Sequence, residues 1–190
     1  MALLTQKALM TTFEEMLEEM QFDKITVSAL VKRCGISPNT FYYHYQDIYA
    51  LLNTWLSRKI GEMRAQSGDS GGWREEAKIF LHYCQEHPKI IYHIFDCLSR
   101  EQLERYVFSS TDDSFAKQVR LRVEGKNLTE EHVDEIIQFC KFAYMGFFIK
   151  FLWNRMDFDV DKSVDRLGTM FENFVYGEIN RAAVPEISGY

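Results

Sequence analysis

Helix breakers are scarce in this chain. With 3 prolines and 10 glycines in 190 residues, little interrupts long helices. Long apolar runs are also missing. No stretch of 18 or more residues is apolar throughout, and the N-terminus lacks the basic flank, apolar segment and cleavage site of an export signal. A cytoplasmic protein with no membrane partner is the expectation. The 4 cysteines, Cys34, Cys84, Cys97 and Cys140, form no C-x-x-C pair, which fits reduced, buried thiols better than disulfides. Net positive charge is lacking too: 22 basic residues face 28 acidic ones, for a charge of −6, which argues against indiscriminate binding to nucleic acid. Residues 1–60 hold six of each sign, so the whole deficit lies in 61–190. A neutral head on an acidic body suits a specific DNA-binding module joined to a part that avoids phosphate.

Catalytic motifs are equally sparse. No Gly-rich phosphate loop and no H-E-x-x-H occur. Ser114 and Lys117 fit S-x-x-K without its companion motifs. Asp157, Asp159 and Asp161 open like a calcium loop but are followed by Lys162 where glycine is required, so helix capping explains them better. His82, Cys84, His93 and Cys97 offer N and S ligands at helical spacing, although buried polar positions account for them more simply. No enzyme activity, cofactor or metal is expected.

The chain reads as all-α, with about nine helices and no alternating strand pattern. Leu9, Phe13, Met16, Leu17 and Met20 make one face of a helix over 4–20, with Glu14, Glu15, Glu18 and Glu19 as a solvated face opposite. In 25–45, ITVSALVKRCGISPNTFYYHY, Thr26 is an N-cap and Val27, Leu30, Val31 and Cys34 form one helical face. Gly35 allows a sharp turn, and Ser37 caps a second helix with Pro38 at its first position. Phe41 and Tyr45 point inward at i, i+4, leaving Tyr42, Tyr43 and His44 wholly or partly outward. Two helices joined by a glycine turn are the ingredients of a helix-turn-helix.

Asp47 caps a helix to about residue 64, and the glycine- and serine-rich stretch 66–72 reads as a loop or hinge. Helices are then expected over 73–86, 88–97, 99–108, 113–123, 129–155 and 160–182. The expected division is a DNA-binding domain over 1–60 and a helical body over 61–190. In the latter, Tyr83, Tyr92, Phe95, Tyr106, Phe142, Phe147 and Phe151 could wall a ligand cavity or fill a core. Phe148, Leu152, Leu167, Phe171, Phe174 and Val175 lie on the two last helices, whose apolar surface either fills the core or is covered by a second copy of the chain at a dimer interface.

The run Phe22-Asp23-Lys24-Ile25-Thr26-Val27 followed by Gly35-Ile36-Ser37-Pro38-Asn39-Thr40-Phe41-Tyr42-Tyr43-His44-Tyr45 resembles the TetR/AcrR transcriptional regulators over roughly the first third of the chain. The resemblance implies a ligand-binding and dimerisation domain over 61–190, and a homodimer that binds a palindromic double-stranded operator and is released by a small-molecule effector. A repressor is the leading reading, with an activator sensing a small molecule or metal, or a ligand-binding protein whose head makes protein contacts, as alternatives. It also implies DNA contacts from Thr26, Ser28, Lys32, Ser37, Pro38, Asn39, Thr40, Tyr42, Tyr43 and His44. One position departs from the family pattern. Ile48 stands where many members carry a phosphate-gripping lysine, which leaves Lys32 or Arg33 for that task.

Overall fold

The computed structural model describes residues 2–67 and 72–183. Among them are nine α-helices, one 3-10 turn and no strand: α1 (Ala2–Glu19), the turn Phe22–Lys24, α2 (Val27–Cys34), α3 (Pro38–His44), α4 (Ile48–Ser67), α5 (Trp73–Glu86), α6 (Pro88–Phe95), α7 (Arg100–Val123), α8 (Glu130–Trp153) and α9 (Val160–Ala183). The all-α architecture with an N-terminal helix-turn-helix is therefore observed. Residues 68–71 of the expected hinge lie outside the described residues.

The chain divides into two compact units, Met1–Gln66 with Tyr83–Leu103, and Ser67–His82 with Glu104–Tyr190. A boundary between residues 60 and 61 falls inside the unbroken α4, and the first unit takes in α6 as well. The reason is packing: α1 packs against both α2 and α6. Its buried residues are Leu9, Met10, Phe13, Met16 and Leu17, while α6 contributes Ile90, Ile91 and Ile94. Phe13 meets Phe22 and Trp55 edge-on at centroid distances of 6.2 and 6.5 Å, a favoured aromatic geometry. A polar tie joins the same two helices, where the His93 ring nitrogen Nδ1 sits 2.7 Å from the Leu17 carbonyl oxygen.

In the second unit, one cluster holds Val119 and Val123 of α7, Val133, Ile136 and Ile137 of α8, and Val175 and Ile179 of α9. Trp73 stacks on Phe115 at 4.7 Å and lies 5.3 Å from Phe171. By length and composition, α8 could cross a membrane, although 44% of its apolar window is buried in the protein itself. Burial on one side of α8 explains part of its apolar character and leaves the other side to be accounted for.

The expected break between 108 and 113 does not occur, and α7 runs through it. Ser, Thr and Asp inside a helix cost at most about 0.7 kcal/mol each. Burial of Val107 before this stretch, and of Phe115, Val119 and Val123 after it, outweighs that cost. The capping residues behave as anticipated. Ser99 and Gln102 cap reciprocally, at 2.9 and 3.2 Å. The Thr129 hydroxyl accepts the His132 N–H, and Asp159 accepts the Lys162 N–H at 3.0 Å, giving the calcium-like aspartate a purely local task.

Thr129→Ala should therefore destabilise the protein by about 1 kcal/mol. Urea denaturation of the two proteins measures the difference, which should appear as a lower midpoint with an unchanged slope.

Candidate nucleic-acid interface

Two helices of eight and seven residues are too short to persist alone, so caps and buried anchors must hold them. The Thr26 hydroxyl accepts the Ala29 N–H at 3.2 Å, starting α2. Leu30 and Val31 are its buried anchors. At its end Gly35 adopts φ 67° and ψ 31°, the left-handed conformation that glycine takes without a steric penalty. The Ile36 N–H then donates to the Val31 carbonyl at 3.0 Å and closes the turn.

Ser37 starts α3 by accepting the Thr40 N–H at 3.2 Å, and its hydroxyl also lies 2.9 Å from that of Thr40. Both hydroxyls thus have a structural task, with lone pairs left over for another partner. Phe41 is fully buried and Tyr45 is 6% exposed, so the helix can present only its other side. Burial pushes the Tyr45 hydroxyl above its ordinary pKa range, which keeps it neutral.

That other side carries Tyr43 at 82% and Tyr42 at 57% exposure. Thr26, Ser28, Lys32, Ser37, Pro38 and Asn39 are exposed, while Thr40 and His44 are half-buried. The ten residues expected to face DNA thus lie on or flank the two helices of the motif, and none is buried. Their chemistry is mostly hydroxyl, amide, phenol and imidazole. These groups bond to phosphate oxygens or base edges without adding full charges.

The charges of the head are largely spent internally. Arg33 reaches back to Glu19, with two bonds of 2.6 and 2.7 Å, and to Glu15 at 3.3 Å. The bond from Arg33 holds the Glu19 carboxyl below its ordinary range, and Glu19 in turn raises Arg33. Arg33 is therefore engaged with α1, contrary to its expected role as a substitute phosphate grip. Lys59 pairs with Glu14, which also accepts the Trp55 indole N–H. Arg58 pairs with Glu62, and Lys24 with Asp23. The acidic face of α1 is thus more than a solvated surface: Glu14, Glu15 and Glu19 clamp cations from α2 and α4. The spacing of these glutamates on one face was the available signal, but their partners are distant in sequence.

The residues expected to wall a ligand cavity are divided between the two units. Tyr83, Tyr92 and Phe95 belong to the first unit, and Tyr106, Phe142, Phe147 and Phe151 to the second. Phe151 is fully buried as core, whereas Phe142 is 56% exposed. A cavity of about 20 Å³ in the second unit is lined by Trp73, Phe115 and Phe171 with Gln118, Arg122 and Glu172 among others. Phe148, Phe171 and Val175, expected at a dimer interface, are at most 5% exposed and face their own unit. Leu152, Leu167 and Phe174 are half-buried. The large exposed apolar residues of α8 and α9 are Phe139, Phe142, Trp153, Met170 and Tyr176.

Among the described residues no group of three or more His, Cys, Asp or Glu side chains is placed to hold a metal ion. His82 faces Asp161, and burial pushes the Cys84 thiol well above its ordinary range and that of Cys140 up to about 11. Neither thiol is an accessible thiolate at neutral pH.

The fold and its capped helix-turn-helix are those of a bacterial DNA-binding regulator. Two family models match the chain: "Bacterial regulatory proteins, tetR family" over residues 11–54, and the TetR "Transcriptional regulator C-terminal region" over residues 72–173. The second covers more than half of the chain, and the chain belongs to the TetR family of transcriptional regulators. It is 26% identical over 94 residues to the HTH-type dhaKLM operon transcriptional activator DhaS of Lactococcus lactis subsp. lactis (strain IL1403), a match spanning 50% of each protein. The solved structure of a dihydroxyacetone kinase operon activator DhaS has a similar fold, with a TM-score of 0.61 over 94% of this chain and 97% of that one, at 18% identity.

With most cations of the head engaged, few are left to neutralise phosphates, each of which would add about 0.9 to the slope of log K against log salt. Operator binding should therefore depend only shallowly on salt. Fluorescence titrations from low to moderate salt measure the slope, and a steep one would remove this account of the head.

Proposed function

We propose that the chain binds a two-fold related operator as a homodimer in the cytoplasm, with the exposed side of α2 and α3 against the major groove. The observation that carries this reading is the contrast on α3: Phe41 at 0% and Tyr45 at 6% exposure, against Tyr42 at 57% and Tyr43 at 82%. Such aromatic groups, held rigidly at the surface of a capped turn, are suited to a partner that offers both stacked edges and acceptors. Asn39 is placed to read a base edge, and the Thr40 methyl or Pro38 to touch thymine.

The second copy of the chain would cover α8 and α9. On α8, positions 139, 142, 146, 149 and 153 recur at spacings of three and four, as do 163, 167, 170, 174 and 177 on α9. These include the exposed Phe139, Phe142, Trp153 and Met170 and the half-buried Leu167 and Phe174. A Cβ added at Gly146 would meet nothing within 4 Å, leaving space for close approach of another helix. Two-fold pairing of such helices buries the apolar side of α8 that its own unit leaves bare.

In this reading a small molecule in the helical body favours one spacing of the two α3 helices over another. Operator binding requires about 34–36 Å between them, and the effector acts through its differential affinity for the two arrangements. Repression results where the operator overlaps the promoter. Activation is the second reading, favoured by the naming of both relatives as activators. Transcription in vitro from the chain's own promoter separates the two, since added protein lowers the transcript in one case and raises it in the other.

The double substitution Phe139→Glu with Phe142→Glu places like charges on a two-fold seam. The protein should become monomeric by light scattering and lose at least about tenfold in operator affinity, the equivalent of about 1.4 kcal/mol. A variant that stays dimeric would place the interface elsewhere.

A further inference from the structure

The small cavity beside Trp73 in the second unit has a polar side. Glu172 on α9 receives the Arg122 guanidinium at 2.7 Å on one carboxylate oxygen, and Arg74 Nη2 lies 2.7 Å from the other. Two guanidiniums thus share one carboxylate, which leaves one positive charge in excess. Arg74 Nη2 is buried and lacks a well-aligned hydrogen bond among the described residues, despite its closeness to Glu172. The ion pair with Glu172 therefore holds the Arg74 charge without using its N–H donors in full alignment. Arg122 also donates to the Gln118 side-chain oxygen.

Two glycines make room for this cluster. A Cβ at Gly168 would collide with the Arg74 guanidinium, and one at Gly72 with the Gln118 amide. Beside these groups is the cavity of about 20 Å³ walled by Trp73, Phe115 and Phe171, which is space for a water molecule or a single ligand oxygen. Arg74, Arg122 and Glu172 remain about one-third exposed, so the cluster opens to solvent on its charged side.

We propose that this corner of α5, α7 and α9 is a binding site for a small oxyanion, a carboxylate or a phosphate, which takes the seat between Arg74 and Arg122 that the Glu172 carboxylate occupies. Planar guanidiniums recognise either group through paired N–H donors. Glu172 acts as a tethered competitor, so affinity for the free anion is weak in the native protein and rises when the competitor is neutralised. This deepens the effector reading above and rests on it for its regulatory meaning: Glu172 lies two positions beyond Met170 and two before Phe174, on the helix that carries the proposed dimer seam.

The test is a titration of the full-length protein with sodium acetate and, separately, inorganic phosphate at constant ionic strength, with chloride as the balancing salt. The Trp73 indole N–H is followed by NMR, and the indoles of Trp55 and Trp153 report the integrity of the fold. The native protein should show a saturable Trp73 shift with at least one of the two anions. Glu172→Gln should tighten that binding at least tenfold, and Gly168→Ala, which displaces Arg74, should weaken it. An unchanged or lower affinity in Glu172→Gln, with Trp55 and Trp153 unperturbed, would overturn the proposal and leave a structural ion triad. Should Glu172→Gln fail to fold, a native-like affinity in folded Gly168→Ala would overturn it equally. Operator binding measured alongside keeps the two readings apart. A saturable anion site with no effect on operator affinity upholds the site and removes its effector role. Operator release by another small molecule, without an anion site, overturns the site alone.

Discussion

Burial of Phe41 is the constraint on which the rest of the head depends. A helix of seven residues has no stability of its own. Its direction is set because one ring is wholly enclosed and Tyr45, one turn later, is almost so. With that face fixed, Asn39, Tyr42 and Tyr43 have no choice but to face outward. The Ser37 cap and the left-handed Gly35 fix where the helix begins, and Leu30 and Val31 fix what it stands on. The same first core reaches through Phe13 and Leu17 to α6, so the recognition surface and Tyr83–Leu103 belong to one compact unit.

Charge in the head follows a different logic from that of a protein attracted broadly to DNA. Arg33, Lys59, Arg58 and Lys24 all have carboxylate partners. Exposed pairs of this kind add little to stability, because solvent screens them. Their larger consequence is to quiet the electrostatic field, and in the proposed reading this leaves the fit of hydroxyl, amide and aromatic groups to the groove to decide where the protein binds. Ile48 at the start of α4 agrees with this: it is half-buried rather than extended toward a backbone phosphate.

Local signals were legible and long-range ones were not. The caps at Thr26, Ser37, Asp47, Ser99, Thr129 and Asp159 could be read because each involves neighbours within three residues. Phe41 and Tyr45 were legible from an amphipathic spacing in a polar context. On α8, by contrast, nearly every position is apolar, so periodicity could not tell the inward Phe148 and Phe151 from the outward Phe139 and Phe142. The polar run at 109–112 reads as a break because propensity is local, whereas the helix is held by buried residues on either side of it. The Arg74–Glu172–Arg122 arrangement was invisible for a similar reason, since its members are about fifty or a hundred positions apart in the chain.

In the proposed reading the outward side of α3 contacts DNA, independently of the stability of the head. Tyr43→Ala tests it most directly, because a side chain that is 82% exposed contributes little to folding. The operator affinity of the intact dimer should fall about tenfold or more, equivalent to about 1.4 kcal/mol, while the urea midpoint stays within about 0.5 kcal/mol of the native protein. Unchanged operator affinity in a folded, dimeric Tyr43→Ala protein would contradict the account.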